Sequence, residues 1–147
     1  MRKQRYLPWL LVLGWMAVIF GFSAQEAAIS QGQSNIVATL LGAATGSTDE
    51  SLLSFVARKG AHTFLYLVLG ALVYNAVRSY AMRTGWAIPA SIALSLCYAV
   101  FDELHQLFVP GRSGEVRDVL IDTFAAGAGI LLYVGVEKWR KLRKAAK

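Results

Sequence analysis

Four long apolar runs, separated by short polar or basic segments, organise the chain: about 6–24, 60–77, 86–109 and 116–136. Crossing the hydrocarbon of a bilayer takes roughly 20 mostly apolar residues, and each run is near that length. The pattern predicts an all-α membrane protein, a bundle of four transmembrane helices forming a single domain over residues 1–147. Between the first two runs, residues 25–58 turn to Gln, Ser, Thr, Gly and Ala around a short apolar stretch, Asn35 to Ala44. That stretch is too short to span, so a buried or interfacial helix on the extracellular side is expected. Ser47 or Thr48 suits an N-cap, with Asp49 and Glu50 in the first turn of the helix that follows. Pro110-Gly111 ends the third run, and residues 137–147 form a basic tail.

The basic opening MRKQR before the first run resembles the start of a signal peptide, with small residues near Ser23 and Ala24. The run is longer than the usual apolar stretch of about 7–15 residues, which favours a retained helix.

Composition agrees with the pattern. Of the 147 residues, 56% are hydrophobic and 16% charged, and the mean hydropathy is +0.46. A soluble domain carries about 25% charged residues. The lone Cys97 lies in an apolar run, so disulfide and thiolate-metal chemistry are excluded, and a small residue packed between helices is expected. The net charge of +6 does not point to nucleic acid, because the basic residues flank the spans. With four spans, both termini and the 78–85 turn share one side, and eleven of the fifteen Lys and Arg residues fall there. The positive-inside rule makes that side the cytoplasm. Eight of the nine acids, all but Glu137, fall towards the outer side.

The same outer depth gathers the candidate chemistry. Lys59, His62 and Tyr66 share one face of the second span at i, i+3 and i+7. Asp102, His105 and Gln106 share a face at the end of the third, beside Glu103. Asp118 and Asp122 lie one turn apart at the start of the fourth, and Ser23 and Gln25 end the first. Arg58, Arg112 and Arg117 stand at the rim. Exposed end charges such as Arg58, Arg117, Glu115, Asp49 and Glu50 are explained by snorkelling. A charge within a span costs about 2.5–3.5 kcal/mol on insertion scales, so such residues face a bundle interior or watery cavity and mark function. The bland alternative is pairing that locks helices, for example Arg112 with Asp102 or Asp118. The face of Asp118 and Asp122 continues as Ala125 and Gly129, small residues that permit close packing, so AAGAG reads as packing rather than a phosphate loop.

FDELHQLFVPGRSGEVRD, preceded by RKGAHTFLYLVLG and by FSAQ at the end of the first span, resembles the VanZ-like family of bacterial membrane proteins. The matching positions are Ser23, Gln25, Lys59, His62, Tyr66, Gly70, Asp102, Glu103, His105, Gln106, Pro110, Gly111, Arg112 and Asp118. Asp122 departs from the family, which tends to carry Asn there. The resemblance implies a cell-envelope role associated with resistance to teicoplanin, a lipoglycopeptide, and supplies no reaction.

Two functions compete. One is a binding module whose outward pocket (Lys59, Tyr66, Gln106, Arg112, Asp118, Asp122, Ser23 and Gln25) takes a lipid-linked or amphipathic envelope molecule; arginine forks suit phosphate or carboxylate. The other is a membrane-embedded hydrolase or transferase acting on a lipid-linked precursor or the antibiotic. There Asp102 or Glu103 with His105 supplies a base and its partner, and His62 an acid or nucleophile. Lys59 and Arg112 then stabilise an anionic transition state. No cofactor is expected; zinc is a minor variant, since two histidines and several carboxylates suffice chemically but the spacing is not HExxH. Proton-coupled transport is disfavoured because the cytoplasmic halves of the spans hold almost no ionisable residue. The expected partners are membrane lipids and a lipid-linked cell-wall precursor or lipoglycopeptide, with no nucleic acid.

Overall fold

A computed structural model describes residues 3–25, 27–46, 49–112 and 114–146. Among these there are five helices and no strand: α1 (Lys3–Ser23), α2 (Ala27–Thr45), α3 (Glu50–Arg78), α4 (Thr84–Gln106) and α5 (Val116–Ala145). Four of them, all but α2, are long and apolar enough to cross a membrane. α2 is the helix expected between the first two spans.

Helix ends differ from span ends for local reasons. α3 begins ten residues before the second apolar run, because Asp49 caps it by accepting a 3.0 Å hydrogen bond from the Leu52 amide. The Leu52 amide and the Ser51 hydroxyl on that carboxylate hold its pKa below the usual range. Ser47 and Thr48, the expected cap, lie outside the described residues. α4 stops at Gln106, short of Val109, where the chain turns. α5 runs on to Ala145, since Lys and Arg are good helix formers and nothing in 137–145 breaks it; the basic tail is the end of the same helix. At 1.5 Å per residue α3 and α5 are each about 43–45 Å long, more than the hydrocarbon needs. Hydropathy marks the bilayer, not the helix.

α3 is central and packs on all four others. Its seam with α5 is parallel and keeps one register throughout. Lys59 meets Asp118, His62 meets Asp122, Asn75 accepts from the Tyr133 hydroxyl at 2.8 Å, and Arg78 faces Glu137 at 3.7 Å. Between the polar ends the helices touch backbone to backbone. A Cβ on Gly70 would stand 2.1 Å from the Ala126 carbonyl, and one on Gly129 would stand 1.8 Å from that of Leu67. Ala125, Ala126, Gly129 and Ile130 are buried here, so the small-residue face packs as its spacing predicts.

Around the seam, Tyr66, Leu69, Val73 and Tyr74 of α3 pack with Val12 and Ile19 of α1 and Tyr98 and Ala99 of α4. Aromatic polar ends bond backbone across helices: Trp15 Nε1 donates to Leu65 O at 2.8 Å and the Tyr98 hydroxyl to Met16 O at 2.6 Å. The outward faces stay apolar, with Leu10, Leu13, Phe101, Leu104, Phe124 and Leu131 exposed. Such a continuous apolar surface suits lipid, not water. Cys97 is exposed as well, a departure from the packed position expected of it. The inward face of α4 is Ser91, Ser95, Tyr98, Ala99 and Asp102, and residue 97 falls on the other side.

Candidate functional site

The C-terminal ends of α1 and α4 and the N-terminal halves of α3 and α5 meet at one end of the bundle, and the polar residues meet with them. On the α3–α5 side, Lys59 pairs with Asp118, and His62 Nδ1 lies 3.2 Å from Asp122 Oδ2. Asp122 is 2% exposed, so His62 is its means of satisfaction in the interior. One turn below, Tyr66 is fully buried with its ring 6.0 Å from His62 and 6.2 Å from Tyr98, and its hydroxyl is without a partner among the described residues.

On the α1–α4 side the contacts form a chain. The Ser23 hydroxyl donates to Asp102 Oδ2 at 2.8 Å across two helices. Gln106 Nε2 reaches Asp102 and Glu103, each at 3.4 Å, while Gln106 Oε1 accepts from Arg112 Nη1 at 3.3 Å. Glu103 also accepts the Glu115 amide at 2.8 Å, tying the loop before α5 to α4. Gly114 permits this approach, since a Cβ there would stand 2.8 Å from Glu103 O.

Arg112 is delivered by a tight turn. Its amide bonds the Val109 carbonyl at 3.1 Å, with Pro110 and Gly111 between, and Gly111 has φ 74°. Proline then a residue at positive φ is the signature of a type II turn, which needs glycine second. The guanidinium then caps α1: Nε donates to Gln25 O at 3.0 Å and Nη2 to Phe22 O at 3.2 Å. A cation on the last carbonyls of a helix complements its dipole. Burial, and after it the like charge of Arg58, lower the Arg112 pKa, while Asp102 and Glu103 oppose them. Gly111→Ala is expected to destabilise the protein by about 1 kcal/mol through the strained φ. It should also loosen Arg112, which thermal unfolding combined with the ligand titration described below would show.

Two sequence expectations change here. The base pairing expected of Asp102 or Glu103 with His105 does not form. The imidazole of His105 lies against Phe20, ring centroids 4.3 Å apart, and the hydrogen bonds of the two acids go to Ser23, Gln106 and the Glu115 amide. The pairing of a histidine with a carboxylate falls instead between α3 and α5, on His62 and Asp122. Likewise Arg112 locks helices through Gln106 and the α1 carbonyls, not through Asp102 or Asp118. Among the described residues no three His, Cys, Asp or Glu side chains are grouped so as to hold a metal ion.

Above this network a cleft of about 130 Å³ is lined by Ser30, Arg58, Gln106, Gly111, Arg112, Glu115 and Asp118. Two guanidinium-bearing residues line it. Among the described residues Arg58 makes no ion pair, whereas Glu115 is held by Arg117 at 2.9 Å and Asp118 by Lys59. Ser23 and Tyr66 are wholly buried and lie below it.

A family model described as VanZ/LLP1 matches residues 8–137. The chain belongs to the VanZ family. No curated protein and no solved structure gives a match.

For this VanZ-family protein the residues singled out from the sequence gather at one end of the bundle, and the cleft there adds residues not singled out as ligand-binding, Ser30 and Arg58 among them. Ser30 carried no signal, because a serine in a polar helix looks like any other. Arg58 read as a rim charge; only the placement of α2 over α3 shows that it lines a cleft. Asp122 Oδ2 lies where it accepts from the His62 Nδ1–H, and an asparagine amide oxygen in its place would accept from the same imidazole.

Proposed function

We propose that this protein sits in the bacterial plasma membrane with both termini in the cytoplasm, and that its outward cleft binds the anionic group of an amphipathic envelope molecule. Such a ligand is a lipid-linked cell-wall precursor or a lipoglycopeptide, in keeping with a part in teicoplanin resistance. The observation that carries the reading is the cleft itself: Arg58 and Arg112 both line it, and like charge from Arg58 weighs on the Arg112 guanidinium. An anion between two guanidiniums relieves that repulsion and accepts from their free donors. The excess of Lys and Arg at the opposite end of the bundle supports the orientation.

The test is titration of purified protein with a polyprenyl phosphate or teicoplanin. Arg58→Gln is expected to weaken binding about tenfold or more, consistent with about 1.5–3 kcal/mol for a hydrogen bond to a charged group. Arg112→Ala is expected to do the same and to lower thermal stability, because it also uncaps α1. Unchanged affinity in Arg58→Gln removes the cleft from the reading.

The alternative, a hydrolase or transferase for such a lipid, has one observation in its favour: the His62–Asp122 pair is a base oriented by a carboxylate. His62 does not line the cleft, which makes binding the better reading. Release of a product from the lipid by wild type, lost in His62→Gln, would reverse that preference.

A further inference from the structure

The cleft does not stand alone. It shares Ser30 and Arg58 with a groove of about 220 Å³ between α1, α2 and α3, and it shares Glu115 with a groove of about 320 Å³ between α4 and α5. The two grooves flank it; both are walled mainly by apolar surface, and they differ in the polar side chains they add. The first presents Gln25, Ser30, Gln33 and Ser34 beside Phe22 and Val37. In it the Gln25 side-chain oxygen is a buried acceptor without a partner among the described residues. The second is walled by Val100, Leu104, Leu107, Val116 and Val119, and the carboxylate of Glu103 at its edge is already held by the Glu115 amide.

From this order of apolar groove, cationic cleft and a groove that carries amide and hydroxyl side chains among its apolar walls, we propose that the ligand is a lipid whose phosphate joins a hydrocarbon chain to a hydroxyl- or amide-rich headgroup, such as a polyprenyl-linked saccharide. The hydrocarbon lies along α4 and α5, the phosphate between Arg58 and Arg112, and the headgroup beneath α2. The proposal rests on the anion-binding reading and adds the orientation and the class of the two arms. A buried acceptor with no donor favours a ligand that brings one, because leaving it unmatched is costly. Branched and γ-branched apolar walls favour a hydrocarbon by the area they remove from water or headgroup contact. Val100 and Val116 are exposed, so larger residues there fill the groove without entering the core.

The test uses full-length protein in detergent and three probes: a long-chain polyprenyl phosphate, the same lipid carrying a disaccharide, and a water-soluble sugar phosphate. Val100→Trp and Val116→Trp are expected to weaken both lipids about tenfold and leave the sugar phosphate unchanged. Gln25→Leu is expected to remove the advantage of the disaccharide-bearing lipid, a loss of about fivefold, and leave the plain polyprenyl phosphate unchanged. If binding depends on Arg58 but is indifferent to chain, headgroup and these three substitutions, the orientation is wrong and the anion site stands. If wild type binds none of the probes in an Arg58-dependent way, the anion site itself fails.

Discussion

Gly129→Ala is expected to disrupt the bundle, although it adds a single methyl group to a residue with an ordinary helical backbone. The added carbon would stand 1.8 Å from the backbone oxygen of Leu67, and no rotamer change relieves a clash between two helix backbones. α3 and α5 must separate along their whole seam. Overpacking of a core usually costs about 1–3 kcal/mol, occasionally more, and a rigid neighbour puts this case at the upper end. Against a total stability of roughly 5–15 kcal/mol that is a large fraction. Gly70→Ala, 2.1 Å from Ala126 O, should behave alike. Gly127 is the control: nothing lies within 4 Å of its added carbon, so Gly127→Ala should be neutral or gain up to about 1 kcal/mol in helix propensity. Thermal unfolding of the three variants in one detergent makes the comparison. Equal melting of Gly129→Ala and Gly127→Ala would mean that the helices are not in backbone contact.

The second large effect is at His62. Replacing it with leucine leaves the carboxyl of Asp122, 2% exposed, without its 3.2 Å partner. An unsatisfied buried polar group costs about 1–3 kcal/mol, and more if it stays charged. Asp122→Asn should be mild, because the amide oxygen reaches the same imidazole. The double variant His62→Leu/Asp122→Leu is expected to recover much of the loss, since removing both partners leaves nothing unsatisfied. A double-mutant cycle read by unfolding reports the coupling, and additive losses would show that the two side chains do not meet. The cycle bears on function as well: if Asp122→Asn left folding intact but abolished product formation from a lipid substrate, the enzyme reading would gain over binding.

The legibility of this protein follows the range of each physical rule. Apolar run length located four helices long and apolar enough to span, because a bilayer needs a set thickness of hydrocarbon, but it does not mark where α3 begins or where α5 ends. Those ends are set by the Asp49 cap and by helix propensity in the basic tail, neither of which depends on lipid. Helical periodicity put Lys59, His62 and Tyr66 on one face and Asp118, Asp122, Ala125 and Gly129 on another, and the two faces do meet. The same rule put Asp102 and His105 together on α4, yet His105 lies tilted against Phe20 while Asp102 turns to Ser23. A shared face spans a broad arc, and which neighbour each side chain finds depends on the helix beside it.

By itself, then, the sequence determined that four helices are built to cross a membrane, that a fifth lies between the first two, and that the ionisable residues collect at one end. These follow from hydropathy, length and spacing along one chain. The tertiary structure alone decided that His62 takes Asp122, that Arg112 caps α1 instead of pairing with an acid, and that Arg58 and Ser30 share a cleft with it. Periodicity sets the face a residue occupies on its own helix, not the rotation and shift of one helix against another. Here those are set by the backbone contacts at Gly70 and Gly129 and by the turn at Gly111, through close approaches that no pattern of polarity records.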